Sequence, residues 1–142
     1  MARPSLATID LAALRHNVAH ARALAPRSKL MAVVKANAYG HGAPGIAEAL
    51  EPVTDALAVA CIDEAMELRA GGITAPILLL EGIFEAREVA TAASENFWLC
   101  IENEWQLRGL EQAVLPRPVT TWLKIDTGMH RLGIAMDKAA NA

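Results

Sequence analysis

Leu30-Met31-Ala32-Val33-Val34-Lys35-Ala36-Asn37-Ala38-Tyr39-Gly40-His41-Gly42 is the stretch that decides how this chain folds. Leu30 to Val34 form a short apolar run of the kind buried on both faces of a parallel sheet. A lysine follows directly, at the carboxyl end of the strand, where parallel α/β folds place their ligands. Burial there disfavours an ammonium and makes the neutral amine available as a nucleophile toward an aldehyde. Taken alone, such a lysine also fits a side chain snorkelling from a strand end into water. Its surroundings favour the first reading: Tyr39, the single tyrosine of the chain, offers a phenolic donor, and the glycines after it let backbone approach a ligand. The run Gly40-His41-Gly42-Ala43-Pro44-Gly45 matches G-x-G-x-x-G literally, but Lys35 to Tyr39 separate it from the strand. Pro44 also lacks the N–H that a phosphate-cradling turn uses, so this is not a dinucleotide fingerprint.

Working outward, strand-length apolar runs alternate with segments of helical period. Asp10 caps a helix whose Leu11, Leu14, Val18 and Ala21 share one face, and Pro26 ends it. Ala56 to Ile62 reads as a strand, with Asp63 capping a helix that stops at Gly71-Gly72. Ile77 to Leu80 is a strand, followed by a helix from about Phe84 to Ser94. Phe97 to Ile101 is another strand. Asn103 then caps a helix carrying Trp105, Leu107, Leu110 and Val114, which Pro116 and Pro118 terminate. Thr121 to Ile125 gives one more strand. Five such repeats with short connections imply parallel pairing through right-handed crossovers, in one α/β unit without an internal linker.

Composition agrees with a folded chain. A hydrophobic fraction of 54% and a charged fraction of 20% exclude disorder, although much of the apolar share is alanine. A net charge of −3 with no basic run, and only 4% aromatic residues, argue against a nucleic-acid partner. Asp10 interrupts any apolar signal region, and no stretch approaches the ~20 apolar residues of a membrane span. Cys61 and Cys100 show no metal-type spacing and read as free thiols, so a cytoplasmic location is expected. His16 and His20 stand four apart on the first helix but lack a third ligand, so they read as surface residues and no metal site is expected. At 142 residues, an open doubly wound sheet would be complete, whereas a (β/α)8 barrel takes ~250 residues and would be unfinished. Length alone therefore favours the open sheet.

Two motifs point the other way. Ala32-Val33-Val34-Lys35-Ala36-Asn37-Ala38-Tyr39-Gly40-His41-Gly42 resembles the pyridoxal-phosphate lysine segment of bacterial alanine racemases. Leu123-Lys124-Ile125-Asp126-Thr127-Gly128-Met129-His130-Arg131-Leu132-Gly133 resembles that family's second signature. The resemblance implies a partial (β/α)8 TIM-type barrel of about five βα units over residues 1–142, truncated before barrel closure and before a C-terminal β domain. Residues 1–10 would then be a strand pairing with that missing domain. It further implies pyridoxal 5'-phosphate as cofactor and racemisation of L-alanine to D-alanine for peptidoglycan synthesis. Lys35 would hold the cofactor covalently and act as one of two bases on opposite faces of the α-carbon. Tyr39 would contact the phosphate, and Arg131 would hydrogen-bond the phenolic oxygen and help bind substrate. Lys124 matches a position that can be carbamylated to support that arginine. Met129 matches a substrate-binding position that reaches across a homodimer. Other readings of these residues stay open: Met129 and His130 as loop packing, and Asp126 as a partner of Lys124 or Arg131.

In the family the second base, a tyrosine, comes from the C-terminal domain. The isolated chain is thus expected to expose barrel-lining side chains and unpaired strand edges, to associate, and to racemise alanine negligibly. Two alternatives remain: a catalytically silent pyridoxal-phosphate-binding or carrier protein, and a fragment that interacts with a full-length racemase.

Overall fold

The computed structural model describes residues 6–140. Helix α1 (Leu11–Leu24) starts where the Asp10 carboxylate accepts the N–H groups of Ala12 and Ala13, which satisfies two otherwise unpaired amides. It lays Leu14 and Val18 against the core, while His16, His20 and Ala21 are exposed. Strand β1 (Met31–Val33) leads into α2 (Lys35–Gly40), whose Ala36, Asn37, Ala38 and Tyr39 are wound left-handed. Then follow α3 (Ala43–Leu50), β2 (Ala56–Val59), α4 (Ile62–Ala70), β3 (Ile77–Leu79), α5 (Glu88–Glu95), β4 (Phe97–Ile101), α6 (Glu104–Gln112) and β5 (Thr121–Leu123).

The five strands form one sheet in the order β1-β2-β3-β4-β5, every pair parallel. That order settles the architecture against the expectation from length. A doubly wound sheet reverses strand order at a switch point and carries helices on both faces. Here order never reverses, so right-handed crossovers leave every helix on the same side. Leu57, Val59, Ile77, Leu79, Phe97 and Leu99 point to that side and pack with Ala47, Leu50, Leu68, Val89 and Ala92 of the helices. The opposite face carries Ala58, Leu78 and Cys100, flanked by Met31, Leu80 and Trp98, with no helix packed in that cluster among the described residues. Trp98 and Trp122 stack on this face with ring centroids 6.2 Å apart. This is the wall of a (β/α)8 barrel that does not close among the described residues: β1 and β5 each pair on one side only. Val33 and Trp122 stay 42% and 49% exposed as a result.

Several boundaries differ from the sequence reading. The second strand stops at Val59, and α4 is capped at Cys61 rather than Asp63, without a side-chain bond from the cap. The helix expected from Phe84 begins at Glu88, because the Glu88 carboxylate accepts the Phe84 N–H and closes a turn first. Asn103 does cap α6, accepting the Gln106 N–H at 2.9 Å, but the helix ends at Gln112 and Val114 lies beyond it, exposed. The last strand ends at Leu123, and Ile125–Asp126 (β6) instead pair with Ile134–Ala135 (β7) in a separate two-stranded sheet before α7 (Met136–Ala139). Of the expected strand over residues 1–10, residues 6–10 form none, and 1–5 lie outside the described residues. Among the described residues no helix is long and apolar enough to cross a membrane.

Candidate functional site

The carboxyl ends of the strands carry the chemistry. Val34 N–H donates to Ala58 O (2.8 Å), the last ladder bond between β1 and β2. Lys35 follows at once and is half-buried. Beyond it the chain turns left-handed, with φ between 52° and 55° at Ala36, Asn37, Ala38 and Tyr39. Such a conformation is rare for residues with a Cβ and persists where the surroundings over-determine it. Asn37 Oδ1 accepts the Ala43 N–H (2.7 Å), Asn37 O accepts the Gly42 N–H (3.0 Å), and Ala38 O accepts the His41 N–H (3.1 Å). The amide at the start of α3 is therefore occupied from within the chain, which agrees with rejecting the glycine pattern as a phosphate cradle.

Two side chains staple neighbouring strand ends. Glu64, in the first turn of α4, accepts the Ala36 N–H on Oε1 and the Ala60 N–H on Oε2, each at 2.7 Å. Gln106, in the first turn of α6 and only 2% exposed, accepts the Glu102 N–H (2.9 Å) and donates to Glu81 O (2.8 Å) and Ile83 O (3.1 Å). Both reach back four residues to the strand they follow and across to the preceding one. A polar residue in a first helical turn reads in sequence as an ordinary helix-terminus preference, which is why neither stood out.

Lys35, Leu80, Glu81, Cys100, Lys124, Arg131 and Leu132 line one cavity of about 460 Å3 at these strand ends. Lys124 extends β5, its N–H bonded to Ile101 O at 2.8 Å. Arg131 and Leu132 come from the loop between β6 and β7. Asp126 holds that loop by accepting the N–H groups of Gly128 (2.9 Å) and His130 (3.0 Å) and the His130 ring nitrogen (2.9 Å). Those bonds, the His130 amide foremost, hold its carboxyl down at about 2. Asp126 thus partners its own loop and not Lys124 or Arg131. Glu102, also at the end of β4, is 9% exposed, and its Oε2 has no hydrogen-bond partner among the described residues. Burial pushes its carboxyl up; the Lys124 charge opposes that shift and Glu81 adds to it. Burial likewise raises the Cys100 thiol.

Of the residues singled out in the sequence, Lys35, Lys124 and Arg131 meet in this cavity. Tyr39 does not join them: it is 62% exposed and lines a separate cavity of about 480 Å3 with Thr8, Ile9, Val34, His41 and Ile46. Met129 is 77% exposed and lines neither. Among the described residues no group of His, Cys, Asp and Glu is placed to hold a metal. Two lysines and an arginine against the single carboxylate of Glu81 in this lining suit an anionic ligand, and an amine and a guanidinium in one cavity suit one that carries an aldehyde and an acceptor oxygen. The donor set therefore fits pyridoxal 5'-phosphate.

Comparisons with known proteins identify the family. Residues 9–142 match the family described as alanine racemase, N-terminal domain. The chain is 57% identical over 132 residues to an alanine racemase of Pseudomonas syringae pv. syringae, covering 93% of this chain and 37% of that protein. It is 56% identical over 133 residues to an alanine racemase of Xanthomonas campestris pv. campestris, covering 94% and 37%. The crystal structure of the biosynthetic alanine racemase from Pseudomonas aeruginosa superposes with a TM-score of 0.89 at 47% identity, over 94% of this chain and 37% of that one. The chain thus spans little more than a third of the length of these relatives.

Proposed function

The chain belongs to the alanine racemase N-terminal domain family, and from that premise we propose that it supplies the cofactor-binding half of a pyridoxal-phosphate-dependent racemisation of alanine. The observation that carries this reading is the convergence of Lys35, Lys124 and Arg131 on one cavity at the carboxyl end of a parallel sheet. Bound there, pyridoxal 5'-phosphate would supply an electron sink for the charge left on an α-carbon when its proton departs. Lys35 Nζ is the amine that would hold the cofactor aldehyde, and as a free amine it would take up or return a proton on one face of the α-carbon. Arg131, permanently charged and planar, would donate to the phenolic oxygen of the bound ring. Lys124 lines the same cavity: as an ammonium it would add a second positive charge, and carbamylated it would instead present a negative carboxylate to accept from Arg131. By the family resemblance Tyr39 would contact the phosphate, for which its side chain has to turn from the cavity it lines here toward that of Lys35, and Met129 would reach the substrate of a neighbouring protomer in a homodimer.

Inverting a stereocentre needs a second base on the opposite face. The family resemblance assigns that base to a tyrosine of a C-terminal domain, and Tyr39, the tyrosine of this chain, lines a separate cavity. The cavity also opens on the uncovered face of the sheet, where water has access. The 142-residue chain is accordingly expected to bind the cofactor but to racemise alanine negligibly. D-alanine for peptidoglycan would be the product of the longer relatives' architecture.

Sodium borohydride reduction of the chain with pyridoxal 5'-phosphate, followed by peptide mass mapping, tests the reading. The reduced pyridoxyl adduct is expected on Lys35. An adduct on other lysines only, or none in a folded preparation with excess cofactor, overturns it. Exchange of the alanine α-proton with solvent deuterium then separates a working half-site from a silent binder.

A further inference from the structure

Among the described residues no hydrogen bond or ion pair holds the Lys35 amine, so the direction from which it enters the cavity is set by its backbone. On one side Val34 is tied to Ala58 by the last ladder bond. On the other side Ala36 enters a left-handed turn and is exposed, so nothing apolar holds it. The bond that Ala36 makes at its amide is to Glu64 Oε1. The second oxygen of the same carboxylate takes the Ala60 amide of β2. Glu64 itself is anchored, since α4 buries Ala65 and Leu68 completely against the core. One carboxylate thus joins a rigid helix, the end of β2 and the residue after the reactive lysine.

We propose that Glu64 is the positioning residue for Lys35, fixing the start of the left-handed turn and through it the direction of the amine. It touches no ligand. This inference rests on the proposed role of Lys35. In the step it serves, Lys35 Nζ as the free amine bonds the aldehyde carbon, and the carbonyl oxygen leaves as water with both amine protons. The geometry demands two acceptor atoms. Glutamine has the same shape but one acceptor, and its NH2 would face the N–H of Ala36 or Ala60. Aspartate has both acceptors but is one methylene short.

The test compares Glu64→Gln with Asp63→Asn, which removes the same charge from the same helical turn at an exposed position with no bond to either amide. In the chain without cofactor, the Ala36 and Ala60 amides are both expected to be protected from hydrogen exchange in the parent and in Asp63→Asn, and one of the two to lose its protection in Glu64→Gln. With pyridoxal 5'-phosphate added, borohydride-trapped adduct at Lys35 is expected to form about ten- to a hundredfold more slowly in Glu64→Gln, the scale of a misplaced reacting group. Far-ultraviolet circular dichroism should be unchanged. Adding Ala36→Gly to Glu64→Gln, which eases the left-handed turn, should restore part of the rate. If Glu64→Gln does not fold, this double variant and Ala36 exchange in the parent carry the test. Equal trapping rates in Glu64→Gln and Asp63→Asn, or an Ala36 amide unprotected in the parent, overturn the proposal. Should the parent trap nothing at Lys35, the functional reading fails, and amide exchange still decides whether Glu64 holds the turn.

Discussion

Replacing Ala36 by glycine should stabilise this protein, the reverse of what alanine-to-glycine changes usually do. Ala36 sits at φ 52°, ψ 49°, within a left-handed turn, and is exposed, so its methyl group contributes little packing. An L-residue in that conformation is disfavoured by about 1–2 kcal/mol, because its Cβ crowds the following carbonyl. Glycine adopts it freely but loses roughly 0.5–1 kcal/mol through the greater freedom of the unfolded chain. The difference is a gain of about 0.5–1 kcal/mol. With a urea m-value of about 1.5 kcal/mol/M, the midpoint should rise by about 0.3–0.7 M at constant slope. Ala19→Gly provides the contrast: Ala19 is equally exposed but lies inside the right-handed α1. There the same substitution should cost about 1 kcal/mol and lower the midpoint. Urea unfolding in dilute solution, followed by circular dichroism, measures both. If Ala36→Gly lowers the midpoint as Ala19→Gly does, the turn is not left-handed in solution, and the account of how Lys35 is presented falls with it.

Other expectations follow from the same geometry. A Cβ on Gly82, at φ +69°, would stand 2.3 Å from Cys100 O and 2.6 Å from Gln106 Nε2. Gly82→Ala should therefore cost about 2–4 kcal/mol, from overpacking and backbone strain together. Gly72→Ala, at φ +90° with open space around it, should cost only the strain, about 1–2 kcal/mol; thermal unfolding compares them. The Asp55 carboxyl is held at about 2 against an ordinary 3.8, chiefly by the Leu30 N–H, then by Lys29 and Arg22. Because its folded value lies below its unfolded one, its stabilising effect is present above about pH 4 and disappears as the pH falls toward about 2. Asp55→Asn should flatten that part of the acid stability profile measured by urea unfolding, and an unchanged profile would refute the assignment. Cys61, half-buried, should react with a maleimide in the native chain, whereas Cys100, buried and with its thiol raised, should react only on unfolding. Mass spectrometry of the labelled peptides decides this.

Much of the local structure was legible in the residues. Asp10 and Asn103 cap the helices they were expected to cap, and the five apolar runs became the five strands. Lys35 stands at a strand end, as its place after Val34 implied. These features depend on neighbours a few residues away, so a linear pattern records them. Boundaries slipped where a side chain closed an extra turn, as Glu88 does for Phe84. Asp126 found its partners in Gly128 and His130 rather than in the nearby cations.

The strand order was beyond the reach of periodicity. Alternating apolar runs suit a doubly wound sheet and a barrel wall equally, because each run records only its own burial and not its neighbour's identity. The resemblance in the two motifs pointed to the barrel; the pairing of β1 through β5 in sequence order establishes its wall. Tertiary structure alone decided that Lys35, Lys124 and Arg131 share a cavity while Tyr39 faces another. It alone showed Glu64 and Gln106 joining strand ends that lie more than twenty residues apart in the chain. Such contacts come from closing long loops around a packed core, and no short stretch of sequence encodes which ends will meet.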